Sequence, residues 1–443
     1  MDKLKFMQSK DPSTAAWNKA WGLVLAGGIT VTSVFLYSRS GETSSSPEQT
    51  QSSSSSIFGS AEENKTTIDK SFLADKLGTA IRGNTFPEAF ELSKDGETKR
   101  VNVEYALNEK SQEKMQKLMG QYKPDYGAFV AMDAKTGRIL SLVSYSAVNS
   151  QLENLTLRAT FPAASIFKVV TASAAIDLKK AQPTTVVPFN GGMHTLYKKN
   201  VESTQVNRWT RHITLRDAFA RSVNVFFGKL GLFYVGPENL LQYAERYLFN
   251  HPIPADVPVQ MGFAKFSSQD PWSVVTAASG FTRDNTMSPL HGALIASAVA
   301  NDGVMMEPFL VESLRSETGD TLYEATPKQA SVVVDPHSAD ELRELFTQTV
   351  KSGTSRRSFR QIVRGTRYED IEFGGKTGSL TGTDPVGKVD WFVGYARFGD
   401  QRIAVAALTV NEKKWRVKSS MLANLFFEHY IKESKNQGLA KNP

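Results

Sequence analysis

The chain of 443 residues contains no cysteine. A disulfide, a thiolate metal site and a cysteine nucleophile are therefore excluded. Histidine is also scarce: the six present show none of the spacings by which side chains share a metal ion. No metal and no other cofactor is expected. Nor is there a stripe of alternating basic and aromatic residues, so nucleic acid is not an expected partner. The net charge of +7 is scattered along the chain and gives a basic surface suited to anionic membranes or polymers. The length allows two or three domains, with ample apolar content for a large core.

Long apolar runs are equally sparse. Residues 21–37 form an uncharged run of 17 residues, at the short end for a membrane span. Lys3, Lys5, Lys10 and Lys19 precede it and only Arg39 follows closely, which keeps the N-terminus cytoplasmic. Ser38-Arg39-Ser40 is a poor cleavage site and the basic segment before the run is long, so an uncleaved anchor is favoured over a signal peptide. The expected organisation is a cytoplasmic tail at 1–20 and a transmembrane signal-anchor at 21–38. A Ser-rich flexible linker at 39–70 follows, too poor in apolar residues to fold. Residues 71–122 form a short pre-catalytic region, and 123–443 the catalytic body outside the cytoplasmic membrane.

Within the body, Phe161-Pro-Ala-Ala-Ser-Ile-Phe-Lys-Val-Val-Thr-Ala-Ser-Ala-Ala-Ile176 predicts a helix starting at Pro162, with Ser165 in its first turn. Lys168 lies three residues on and on the same face, so its amine can reach the serine hydroxyl. The residues after it are small or apolar on every side, the pattern of a helix buried all round. Burial disfavours the ammonium form, and a neutral amine beside a serine can take its proton. Ser-x-x-Lys alone is a weak signal, since Ser111-Gln-Glu-Lys114 repeats it on what reads as a solvated helix face.

Two further polar groups stand in apolar contexts. Ser222-Val-Asn224 interrupts a helical stretch at 215–230, as small polar residues do where a helix bends or is capped. Phe373-Gly-Gly-Lys-Thr-Gly-Ser-Leu380 leads into a sheet, and its glycines permit close backbone approach along a cleft. The other Lys-Thr-Gly, at 135–137, falls in a hairpin turn facing solvent. A second decoy, Ser434-Lys-Asn436, lies near the chain end. Helices are expected from Ser288-Pro289 to the Asn301-Asp-Gly303 turn, from about 338 to 351, and from about 419 to 432.

Ser165/Lys168, Ser222/Asn224 and Lys376-Thr377-Gly378, in that order, resemble the motif set of the penicillin-binding proteins, active-site serine D,D-transpeptidases related to β-lactamases. Longer stretches carry the same resemblance: Gly127-Ala-Phe-Val-Ala-Met-Asp-Ala-Lys-Thr-Gly-Arg-Ile-Leu140, residues 286–308, Val350-Lys-Ser-Gly-Thr354 and Asp390-Trp-Phe-Val-Gly-Tyr395. It covers roughly 100–432. The resemblance implies an α/β (α+β) fold: an antiparallel sheet flanked by helices, a mostly helical subdomain beside it, and the cleft between them. It also implies a role for each residue. Ser165 is the acylated nucleophile, Lys168 its base, Ser222 a proton shuttle to the leaving amine, and Asn224 a holder of the donor amide. Lys376 supplies positive potential and Thr377 meets the donor's terminal carboxylate. Gly378 lets the peptide approach, and the amides of Ser165 and Ser379 form the oxyanion hole. The implied partners are peptidoglycan stem peptides, β-lactams as inhibitors, the inner membrane and a separate glycan polymerase.

The sequence departs from larger family members. No glycosyltransferase domain precedes the body, the pre-catalytic region is short for the usual pedestal, and Gly280-Phe-Thr-Arg stands where Gly-Gln-Gly is expected. Crosslinking to an amine is the preferred reaction, with a D,D-carboxypeptidase using water as the alternative. A β-lactamase would need a base for deacylation, and no Glu-x-x-Asn occurs between Ser222 and Lys376. A non-enzymatic β-lactam sensor normally has more membrane spans.

Overall fold

Tyr126–Asp133 and Ile139–Ser146 form the expected hairpin, and three strands from the end of the chain complete its sheet. The computed structural model describes residues 68–94, 97–149, 151–365, 368–436 and 438. The anchor expected at 21–38 and most of the linker expected at 39–70 lie outside these residues; Asp69 caps the first described helix, Lys70–Arg82. Among the described residues, no helix is long and apolar enough to cross a membrane.

The sheet is antiparallel throughout. Its spatial order is Glu372–Thr383, Val386–Phe398, Gln401–Asn411, Tyr126–Asp133 and Ile139–Ser146. Successive side chains on a strand point to opposite faces, and here both faces are covered. Trp391, Val393 and Tyr395 join Ala404, Ala406 and Leu408 in one core with the helix Pro289–Ala300. Phe392, Ala396 and Phe398 join Ile403, Val405 and Ala407 in the other, beneath Ser419–Asn436 and Glu109–Tyr122. Double coverage explains why the inner strands read as continuous apolar runs rather than alternating ones. Pro289–Ala300 is itself buried at every position. Its N-cap is Ser288, whose hydroxyl accepts from His291 N at 3.1 Å, and it stops at Asn301, as the sequence predicts.

The helical part is built from Lys168–Asp177, Leu215–Ala220, Asn224–Lys229, Pro237–Arg246 and Pro271–Ala278. It stands at the open edge of the sheet, beside Glu372–Thr383, and a cleft is left between the two parts. This is the mixed architecture expected from the motifs. Residues 89–105 form two strands that pair onward with Val311–Ser316 and Thr321–Glu324 in a second, four-stranded sheet.

Three local expectations change. Ser111 does not lie on a solvated face: it is on the buried side of the first turn of the helix Glu109–Tyr122, whose cap Asn108 accepts from its amide. The helix expected from 338 begins at Pro336, because Asp335 caps it and proline suits a first turn. The hairpin Lys-Thr-Gly is a turn as read, with Lys135 exposed, yet Gly137 is inside. Gly137 has φ +86°, and a Cβ there would lie 2.1 Å from Glu307 O. Gly137→Ala should therefore destabilise the fold by roughly 1–3 kcal/mol, read as a lower urea midpoint. An unchanged midpoint would show that the turn can relax away from Glu307.

Candidate active site

Between Phe161 and Ile176, Ser165 alone is not buried. The local structure differs from the expected helix start. Phe161–Pro162 is a short strand paired with Thr286–Met287, and Pro162 O accepts from Trp391 Nε1 at 2.9 Å. Those bonds hold the segment extended, so Ser165 falls in a 3₁₀ turn, Ala164–Phe167, and the α-helix begins only at Lys168. Ala164 adopts φ +49°, a left-handed conformation costing on the order of 1–3 kcal/mol for a residue with a side chain. The neighbouring segment has no room to spare: a Cβ on Gly280 would lie 1.9 Å from Ala164 O. On the other side, a Cβ on Gly378 would lie 3.2 Å from the amides of both Ser165 and Ile166. The Lys-Thr-Gly strand is thus laid directly against the backbone of Ser165 and Ile166.

Lys168 is completely buried, with Nζ 2.8 Å from Ser165 Oγ, 2.9 Å from Asn224 Oδ1 and 2.5 Å from Ser279 O. Burial holds its pKa well below the ordinary lysine value, and the charge of Lys376 adds to the effect. A neutral amine has two protons to donate and one lone pair. Asn224 Oδ1 and Ser279 O can only accept from it, so the lone pair is left for the Ser165 hydroxyl. The Phe227 ring, 5.7 Å from Nζ, closes the apolar side.

Ser222 and Asn224 sit where the helical stretch breaks. Leu215–Ala220 ends, Ser222 takes φ +56°, and Asn224 starts the next helix. The break turns both side chains into the cleft. Ser222 Oγ accepts from Lys376 Nζ at 3.0 Å, and Lys376 also donates to Thr377 O at 2.8 Å. Asn224 is already engaged at both ends, through Lys168 and by Nδ2 donating to His194 O at 2.8 Å. Its first task here is to hold the lysine. Thr377 Oγ1 lies 2.5 Å from Thr354 Oγ1, and Gly378 and Ser379 line the same cleft, whose volume is about 540 Å³.

All eight residues singled out in the sequence therefore converge. The structure adds others. Thr354 belongs to a stretch that was recognisable, Val350-Lys-Ser-Gly-Thr354, but its contact with Thr377 was not. Ser279 acts through its carbonyl, for which a sequence carries no signal. Asp390 pairs with Ser379 across the sheet, lines the cleft, and is held by Lys418 at 3.2 Å and by Ser419 N at 2.8 Å. The odd segment 280–283 places Phe281 in the cleft wall and is tied to the motif strand, since Arg283 Nε donates to Thr381 O at 2.9 Å.

Residues 127–430 match the penicillin-binding protein transpeptidase domain. The chain belongs to that family. It is 28% identical over 318 residues to the peptidoglycan D,D-transpeptidase PbpA of Mycolicibacterium smegmatis, covering 64% of this chain and 62% of that one. It is 24% identical over 362 residues to stage V sporulation protein D of Bacillus subtilis, covering 76% and 54%. The chain thus spans less than two thirds of the length of either relative. Among solved structures, penicillin-binding protein A of Mycobacterium tuberculosis as an imipenem acyl-enzyme complex superposes with a TM-score of 0.61 at 24% identity, covering 75% of this chain and 80% of that one. That likeness concerns the fold.

One prediction follows from the paired amines. Burial lowers Lys376 to about 7 from 10.5. Between those values the unfolded chain binds more protons than the folded one, so stability rises with pH across that window. Lys376→Met removes the share that Lys376 contributes. Urea midpoints measured from about pH 7 to about pH 9 should move in the wild type's favour, and parallel curves would show that the fold does not lower Lys376.

Proposed function

We propose that this protein is a membrane-anchored serine D,D-transpeptidase that crosslinks peptidoglycan stem peptides and is acylated by β-lactams. The observation that carries this is the hydrogen bonding of Lys168, which leaves one lone pair and directs it at the only surfaced residue of the 161–176 segment, Ser165.

In this reading the donor peptide lies along the free edge of Glu372–Thr383, the strand that ends the sheet. Lys168 takes the proton as Ser165 Oγ attacks the carbonyl carbon of the penultimate D-residue. The amides of Ser165 and Ser379 receive the developing oxyanion. The C–N bond breaks as Ser222, held by Lys376, passes its proton to the leaving amine of D-alanine and regains one from Lys168, which returns to the neutral amine. An acceptor amine then attacks the ester carbonyl and gives its proton to Lys168, which delivers it to Ser165 Oγ. The C–O bond breaks and Ser165 regains its hydrogen. Lys376 supports Ser222 electrostatically, and the hydroxyls of Thr377 and Thr354 meet the donor's terminal carboxylate. The apolar run at 21–38 would anchor the chain in the cytoplasmic membrane with this body outside, beside a separate glycan polymerase.

Transfer to an amine is preferred to hydrolysis for a specific reason. Among the described residues lining the cleft, the one carboxylate is Asp390, and it is occupied by Lys418 and Ser419. A water on the open face of the acyl-enzyme has no free carboxylate there to activate it. Penicillin-binding protein A of M. tuberculosis, solved as an imipenem acyl-enzyme complex, is in keeping with a long-lived ester.

Mass spectrometry after benzylpenicillin tests the assignment. The wild type should gain one penicilloyl group that persists for many minutes, and Ser165→Ala should gain none. Lys168→Ala should slow acylation by about 10²–10⁴-fold, the usual contribution of a general base. Labelling of Ser165→Ala would overturn the nucleophile, and loss of the adduct within seconds would point to a β-lactamase. With a stem-peptide thioester, added D-alanine should divert product from free acid to new amide. Free acid at every D-alanine concentration would make the protein a carboxypeptidase.

A further inference from the structure

Three charged side chains line the cleft at its surface: Arg357, Lys418 and Asp390. Lys418 and Asp390 neutralise each other at 3.2 Å. Arg357 is exposed and is matched to no carboxylate among the described residues. It leaves the cleft with one uncompensated positive charge, three residues from the Thr354 hydroxyl that abuts Thr377.

The backbone carrying Arg357 is fixed on both sides. Thr354 N donates to Ala220 O at 3.1 Å, tying the segment to the helix end that precedes Ser222. Ser355 is buried, and its hydroxyl donates to Thr349 O at 3.1 Å. Ser358 Oγ lies 2.7 Å from Ser420 Oγ, and the buried Phe359 ring stacks on Phe392 with centroids 5.2 Å apart. A rigid base therefore presents a free guanidinium over the cleft. Such preorganisation lowers the ordering cost of an ionic contact. Arg356 next door has the same charge and is exposed, but does not line the cleft.

We propose that Arg357 is a specificity-determining residue that holds the carboxylate adjoining the leaving amine, and afterwards the carboxylate adjoining the attacking amine. The proposal rests on the transpeptidase reading. In that reaction the departing group is an amine with a carboxylate on the same carbon. Hydroxyls such as those of Thr354 and Thr377 orient a carboxylate but carry no charge, whereas a guanidinium matches it with two parallel donors. By microscopic reversibility, the attacking amine enters along the path by which the first amine left. A subsite shaped for an amine with an adjoining carboxylate at a D-centre thus selects the same chemistry in the acceptor. No bond to Arg357 forms or breaks, and the ester exchange at Ser165 is as written above.

The test uses the full chain in detergent and two acyl-D-alanyl thioester donors, one leaving as thioglycolate and the other as the uncharged thioglycolamide. Arg357→Met should lower kcat/KM on the thioglycolate donor by about 10-fold, the lower end for a lost bond to a charged group. It should leave the thioglycolamide donor unchanged, which also shows that the variant is folded. Arg357→Lys should restore part of the preference, and Arg356→Met should behave as wild type. With D-alanine and D-alaninamide competing as acceptors, Arg357→Met should lose the preference for D-alanine. Equal loss on both donors, or an intact charge preference, overturns the role of Arg357 while leaving the transpeptidase reading in place. A retained acceptor preference overturns the acceptor half. If the wild type transfers neither donor, the transpeptidase reading itself fails and this assignment with it.

Discussion

The site depends on an amine that has been taken out of water. Lys168 lies in an apolar helix, and burying a charged ammonium there would cost far more than the surrounding contacts return. The fold meets this by lowering the amine's pKa and giving each of its hydrogen-bonding positions a partner: Asn224, Ser279 and Ser165. Remove either acceptor and the lone pair loses its direction. The second buried lysine, Lys376, reinforces the arrangement by making a further positive charge at Lys168 unfavourable.

Directing that amine requires backbone that would not be chosen by the local sequence. Ala164 and Ser222 both sit at positive φ, at +49° and +56°, and each presents a serine to the cleft. Neither conformation is held by its own segment. The first is clamped by pairing with Thr286–Met287, by Trp391 donating to Pro162 O, and by the bare backbone of Gly280. The second is held where Ala218 O and Phe219 O accept from Val223 N and Ser222 N as one helix ends and the next begins. Trp391 deserves its central place because it also pairs with Gly378 across the sheet. One buried indole thereby connects the turn that carries Ser165 to the strand that carries Lys376.

Some of this was legible in advance because it follows from spacing within single elements. Three residues separate Ser165 from Lys168, and one turn of either helix type brings them together, so the wrong helix start did no harm. The apolar runs at 389–397 and 402–410 specify strands, and both are found. Ser288 and Asn301 mark the ends of a buried helix. Other features escaped for identifiable reasons. Ser111 lies among charged neighbours, and only packing against the sheet shows which side of its helix is inside. Asn224 looked free to hold a substrate amide, but its partners, Lys168 and His194 O, come from other segments.

By itself the sequence determined which polar side chains stand out of apolar surroundings, the order in which they occur, and the strands that carry the last of them. These are consequences of residue type and short-range periodicity. Tertiary structure alone decided that Lys168 is fully desolvated, that Ser279 offers it a carbonyl, that Thr354 meets Thr377, and that Arg357 faces the cleft while Arg356 does not. Each depends on where distant segments come to rest against one another. A side chain's environment is set by those neighbours, and the chain near that residue does not encode them.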